Sequence, residues 1–263
     1  MIRVRATTRV DATSRCVCAL VVLGSFAAGC DLRGRPNPDD RPVPANAVVD
    51  FDTLYRVNCA GCHGAEGSFG AAPPLNDQLF LEIVPDETLH EVIRRGREGT
   101  PMPAFSTEYG GTLTDEQVQA LANGLKSHWL EGAKSEAKNA PAYLVGNEMT
   151  IGEETALGAQ LFADACAGCH GENGQGGSAG PLDDASFLAL ISDQALRRIV
   201  ITGRPDLGMP TFAGDDGRDG DFKPLTSRQV SAIVALLAEW RAASPAQAGH
   251  GPLVGEARHG AKQ

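Results

Sequence analysis

The chain has 263 residues, 33 acidic against 23 basic side chains, a net charge of −10 and only 5% aromatic residues. That length allows one large domain or two small ones, and so acidic a surface repels nucleic acid. Small units with few aromatic residues need a covalent or metal-borne staple to complete their cores, and the seven cysteines are the natural place to look for one.

Taken in chain order, residues 1–29 read as an export signal. Arg3, Arg5, Arg9 and Arg15 stand against Asp11 alone, and Cys16–Gly29 forms an apolar run. The run is too short to cross a membrane as a helix, which takes about 20 residues. It ends in SFAAGC, which resembles the lipobox of bacterial lipoproteins, with Cys30 as the lipidated residue and Ala27 where that family more often has Leu. No twin arginine precedes it, so export as an unfolded chain is expected. Cleavage after Gly29 leaves 19 basic and 32 acidic side chains, a charge of −13, which steers the protein toward a basic partner. Residues 30–46 are rich in proline and charge without an apolar period and read as a tether.

Two helical units follow. In the first, Asp50–Asn58 leads into CAGCHG at Cys59–Gly64, and Glu87–Arg95 stops at Gly96. The capping-box pattern Thr114-x-x-Gln117 then opens a helix carrying Val118, Leu121, Leu125 and Trp129. Residues 131–152 read as a polar linker. In the second unit Glu154–Ala165 leads into CAGCHG at Cys166–Gly171, and Asp193–Thr202 is capped by Ser192 and stopped by Gly203. Thr226-x-x-Gln229 opens the last helix, with Val230, Ile233, Leu237 and Trp240. Asp215, Asp216, Asp219 and Asp221, in an insertion, lack the spacing of a calcium loop. Residues 243–263 form an Ala-, Gly- and Pro-rich tail expected to be disordered. No segment alternates like a strand, so the fold class is all-α.

The units are a repeat, in register when Cys59 is set on Cys166 and His63 on His170. Pro74-Leu75 then matches Pro181-Leu182, Gly96-Arg97 matches Gly203-Arg204, Met102-Pro103 matches Met209-Pro210, and Phe105 matches Phe212. C-x-x-C-H is the attachment signature of c-type haem. Its two thiols suit the two vinyl groups and the histidine suits iron. A Cys₄ zinc site would bring its cysteine pairs within about 15–20 residues, and a redox disulfide would want a βαβ setting. Met1 and Met149 aside, the methionines are Met102 and Met209, which follow their motif histidines at equal spacing. Arg97 and Arg204 suit a carboxylate such as a haem propionate, or equally a solvated helix end.

On these motifs residues 47–130 and 153–242 each resemble a class I cytochrome c domain, and together they resemble a di-haem cytochrome c of bacterial lipoprotein type. The resemblance implies two tandem units, each of several short helices around a covalently bound haem c. It implies thioether bonds from Cys59, Cys62, Cys166 and Cys169, and axial ligands His63 with Met102 and His170 with Met209. The carbonyl of Pro74 or Pro181 would accept the histidine N–H, with Leu75 or Leu182 packed on the ring. His/Met ligation raises the iron potential and fills both axial positions. The expected function is relay of single electrons in a membrane-associated, respiratory-type chain. The expected location is outside the cytoplasmic membrane, on the periplasmic side, anchored at Cys30. The expected partner is a protein with a basic dock, such as a membrane oxidoreductase or oxidase. The alternative is a di-haem peroxidase or thiosulfate-oxidising cytochrome with one haem open or ligand-switching. That reading needs distal acid–base groups, and no distal histidine stands at a recognisable position.

Overall fold

Asp50 begins the first unit by accepting the Thr53 N–H at 2.9 Å, which caps helix α1 (Phe51–Asn58). The short α2 (Ala60–His63) follows at once. Asp77 accepts the Phe80 N–H at 2.6 Å to cap α3 (Gln78–Ile83). Then come α4 (Asp86–Arg95) and α5 (Asp115–Trp129), the latter with the reciprocal Thr114–Gln117 capping box in place. The second unit repeats the order: α6 (Glu153–Ala165), α7 (Ala167–His170), α8 (Ala185–Leu190), α9 (Asp193–Thr202) and α10 (Ser227–Ala243). This computed structural model describes residues 37, 41–130, 132, 135–145, 153–214 and 223–243. The export signal, Cys30, most of the tether, Met149, the four insertion aspartates and residues 244–263 lie outside them.

The fold is all-α. Among the described residues there is no strand, only two isolated bridges, Ser106 with Leu113 and Arg204 with Met209. None of the described helices is long and apolar enough to cross a membrane. Helices α3 and α8 escape a periodicity reading because each is too short to display a helical period. Their signal is the N-cap aspartate, Asp77 and Asp184 in register, and Asp184 accepts the Phe187 N–H at 2.7 Å.

Each unit closes around its first and last long helices. In the first, a β-carbon on Gly124 of α5 would collide with the Phe51 ring of α1. In the second, the residue in register with Phe51 is Gly158, and a β-carbon there would collide with the Ala232 backbone of α10. The same close approach is reached once with a large side chain over a glycine and once with the glycine on the other helix. The terminal tryptophans close both cores edge-on, Trp129 to Tyr55 and Trp240 to Phe162, each with ring centres 5.0 Å apart.

The described residues of the two repeats share one compact unit. Leu79 and Ile83 of α3 join the core of the second repeat. The segment between the repeats contributes Tyr143, 3% exposed, to the core of the first. The Tyr143 carbonyl accepts Gln194 Nε2 at 2.7 Å and Arg197 Nε at 3.2 Å. Arg197 also donates to the Ala142 carbonyl and to the hydroxyls of Ser227 and Ser231. A stretch that reads as polar linker thus carries a structural tyrosine, and one aromatic residue in a short segment begun by Pro141 and ended by Gly146 leaves no period to find.

Candidate functional site

The hexapeptide CAGCHG folds identically in both repeats. The carbonyls of Cys59 and Cys166 accept the amides of His63 (3.0 Å) and His170 (3.0 Å), so each motif winds into a single helical turn. That turn leaves Cys59 and Cys166 half-buried and Cys62 and Cys169 exposed. Nothing lies within 4 Å of where a side chain on Gly61 or Gly168 would begin, so the surface between the two thiols is open. Gly64 and Gly171 end the turn at φ 85° and 81°, a conformation that favours glycine. A β-carbon there would also run into the following loop, Ser68 O in the first repeat and Gly176 O in the second. The terminal glycine of the motif is therefore required by the backbone.

The loop after the turn carries the histidine's partner. His63 Nδ1 lies 2.8 Å from the Pro73 carbonyl, and His170 Nδ1 lies 2.9 Å from the Gly180 carbonyl. The acceptor is one residue earlier than the expected Pro74 and Pro181. The reason lies in proline itself: its ring holds the preceding residue extended, so the carbonyl presented to the imidazole belongs to that preceding residue. With Nδ1 donating to a carbonyl, Nε2 is the nitrogen left for a metal. Leu75 and Leu182 pack against the cores of their own repeats.

Met102 and Met209, both half-buried, are held by one device. The Arg97 amide donates to the Met102 carbonyl at 3.0 Å, and the Arg204 amide to the Met209 carbonyl at 2.9 Å. Just before each arginine a glycine ends the helix, Gly96 at φ 70° and Gly203 at φ 72°. A β-carbon on Gly203 would come 2.5 Å from the Pro210 carbonyl carbon, and one on Gly96 would collide with Pro103. The methionine loop thus lies flat on the glycine that ends α4 or α9.

The arginines differ between repeats. Arg97 Nη2 donates to the Tyr143 hydroxyl at 3.1 Å. Arg204 is gripped by Asp206, with Nε and Nη2 each 2.9 Å from a carboxylate oxygen, and its Nη2 also reaches the Gly70 carbonyl at 3.4 Å. Asp206 in turn accepts the Phe69 N–H at 3.3 Å. The equivalence expected of Arg97 and Arg204 is therefore absent, because Asp206 has no acidic counterpart in register in the first repeat, where Gly99 stands. A cavity of about 700 Å³ opens beside these groups, lined by Phe69, Pro74 and Leu79 of the first repeat and Thr202, Met209 and Pro210 of the second. Its volume falls in the usual range for a bound cofactor, about 300–1,000 Å³.

Burial pushes the His63 imidazole down to about 4, against the raising effect of its bond to Pro73; Arg198, then Arg97 and Arg204, press it down further. The ring is neutral at pH 7, as a metal ligand must be. Burial raises the Cys59 thiol to about 12 and the Cys166 thiol to about 11, with Cys62 and Cys169 adding to the effect. Thiols held protonated are poor partners in disulfide exchange. Among the described residues no three His, Cys, Asp or Glu side chains are grouped to hold a metal ion. Two thiols on an open turn, an imidazole with Nδ1 fixed and a thioether loop pinned to the backbone are the donor set that fits haem c, and the chain carries that set twice.

Sequence reasoning missed Arg197, Arg198 and Tyr143. The available signal was a break in the repeat, since Arg197-Arg198 stands in register with His90-Glu91.

The family described as cytochrome c oxidase, cbb3-type, subunit III matches residues 46–123 and again residues 153–227. A cbb3-type cytochrome c oxidase subunit FixP of Bradyrhizobium sp. (strain ORS 278) is 30% identical over 75% of this chain and 63% of its own length. The FixP subunit of Sinorhizobium medicae is 32% identical over 57% of this chain and 49% of its own length. A CcoP subunit from Rubrivivax gelatinosus is 33% identical over 64% of this chain and 49% of its own length. The chain thus spans about half to two thirds of the length of these relatives. With both halves of the repeat matched by the same family, the chain belongs to the cbb3-type cytochrome c oxidase subunit III family and is a di-haem cytochrome c of two class I domains.

Proposed function

We propose that the protein relays single electrons through a pair of covalently held haem c groups in a membrane-associated respiratory chain. The first haem domain spans 47–130 and the second spans 153–242. The observation that carries this reading is the duplicated constellation. In both repeats a C-x-x-C turn exposes one thiol, the next histidine donates Nδ1–H to a backbone carbonyl, and a methionine loop is pinned on a helix-ending glycine.

Cys59, Cys62, Cys166 and Cys169 would hold the haems covalently through thioether bonds. His63 and His170 would coordinate iron through Nε2, and Met102 and Met209 would coordinate it through sulfur. Pro74 and Pro181 hold the preceding carbonyls, Pro73 and Gly180, that fix the imidazole tautomer; Leu75 and Leu182 shield the site from water; Arg97 and Arg204 are the surrounding charges. When bound, each haem supplies a one-electron Fe(III)/Fe(II) couple, raised by thioether ligation. Coordinated by both a histidine and a methionine of the chain, neither iron would be open to a substrate.

The FixP and CcoP relatives are named as oxidase subunits, which supports a membrane oxidase as partner. The acidic composition supports a basic docking surface on that partner. We assign the protein to the periplasmic side of the membrane, held by a lipid on Cys30. Purified from a host able to attach c-type haem, residues 31–263 should carry two haems per chain and show two low-spin spectra with a methionine-to-iron charge-transfer band. M102A and M209A should each abolish one band and lower one potential. Bands and potentials unchanged in both variants would refute the ligand assignment.

A further inference from the structure

Arg198 is a buried cation with unspent capacity. It sits on α9 of the second repeat, 6% exposed, yet its guanidinium reaches into the first. There Nη2 donates to the Pro74 carbonyl, and the guanidinium carbon stands 3.4 Å from the centre of the Phe80 ring. Its Nε is buried and has no hydrogen-bond partner. No carboxylate makes an ion pair with it among the described residues. A desolvated guanidinium with a donor left over is costly unless an anion meets it. Burial pulls it down to about 10, with Arg97 and Arg204 adding to the fall and Tyr143 and the Asp77 carboxylate acting against it from beyond ion-pair distance.

Its place narrows what that anion is. Pro74 follows Pro73, whose carbonyl holds His63, so the guanidinium stands one peptide unit behind the candidate ligand of the first site. Arg97 and Arg204 are also near His63, but Tyr143 and Asp206 occupy them. The donor geometry of a guanidinium matches a carboxylate, and a porphyrin of the c type brings two. Among the described residues the second site has no equivalent: Pro181 is exposed where Pro74 is buried, and no arginine donates to its carbonyl.

We propose that Arg198, donated across the interface by the second repeat, is the buried counter-ion for a carboxylate of the haem at the first site and holds that site's potential above the second's. The inference rests on the reading that Cys59, Cys62 and His63 hold haem c. A fixed positive charge in a low-dielectric setting favours the reduced iron, and removing it leaves a carboxylate charge there without its partner.

The test is a site-resolved spectroelectrochemical titration of the haem-loaded protein and its R198M and R198K variants, with haem counted in each. Met is an apolar side chain that suits the slot over Phe80, and replacing a buried ion by an apolar group of similar volume is often tolerated. In R198M the first site should fall so far that the electron-sharing constant between the sites moves at least about tenfold, ~59 mV for one electron. The second site should stay put, and R198K should recover most of the loss. Two haems with both potentials unmoved in R198M would overturn the proposal, whereas absence of haem from the first site of the unaltered protein would overturn the parent reading. Should R198M fail to fold, redox-difference infrared spectra of haem labelled with ¹³C at its carboxyls decide the matter from R198K alone. A carboxylate band displaced from its native frequency is expected, and an identical band would refute the pairing.

Discussion

The two CAGCHG turns share the backbone hydrogen bonds that wind them and are unlike in their surroundings. At the first, Pro74 is buried, its carbonyl is taken by Arg198, and two further arginines bear on His63. At the second, Pro181 is exposed and the His170 bond to Gly180 lies at the surface. Residues kept through the duplication carry the chemistry that any c-type site needs. Residues that diverged, Arg197 and Arg198 against His90 and Glu91, carry what makes the sites unequal. Inequality is useful in a relay, because two identical sites give an electron no preferred place to rest.

The largest test of that comparison removes one site at a time. C59S/C62S and C166S/C169S should each leave one haem per chain by mass and pyridine haemochromogen. The first-site variant should melt lower, because the loop after its motif is held from the second repeat by Arg198, Arg204 and Asp206. Next in size is Arg197, 1% exposed, which ties Ala142 and Tyr143 to Ser227 and Ser231. R197M should cost about 3 kcal/mol in denaturant unfolding, since it orphans buried carbonyls, while both haems remain attached. Tyr55 is smaller: its hydroxyl donates to the Gly64 carbonyl at 2.8 Å, where the second repeat has Phe162. Y55F should cost about 1 kcal/mol and make the first turn resemble the second.

Asp206 gives the smallest effect, and one that depends on pH. Hydrogen bonds from Arg204 hold its carboxyl below the ordinary 3.8, with the Phe69 amide assisting. A depressed carboxylate contributes stability that is complete above its unfolded value and is lost as pH falls through the folded one. The stability gap between the native protein and D206N should therefore be constant at neutral pH and close progressively below 3.8. A gap that stays constant in acid would mean that Asp206 is not coupled to Arg204.

Much of this was legible in the residues. The paired motifs, the helices from Asp50, Asp193 and Thr114, and the glycines ending α4 and α9 all leave local signals of period, cap or stop. The histidine acceptor was displaced by one residue because the decisive property of proline acts on the residue before it. The interface was illegible for a different reason. Arg198 reads as a surface charge on an amphipathic helix until the fold sets α3 of the other repeat against it, and Tyr143 has no periodic neighbours. Contacts between repeats leave no periodicity in either one, only a departure from their likeness.

One measurement bears most directly on the account: a redox titration of the two-haem protein, followed through the methionine-to-iron band and repeated on reduced protein under carbon monoxide. The account predicts two low-spin centres, both with the band and neither binding carbon monoxide, and the higher potential at the first site, identified with the C166S/C169S variant. A centre that lacks the band and takes up carbon monoxide, or a second site higher than the first, would contradict it.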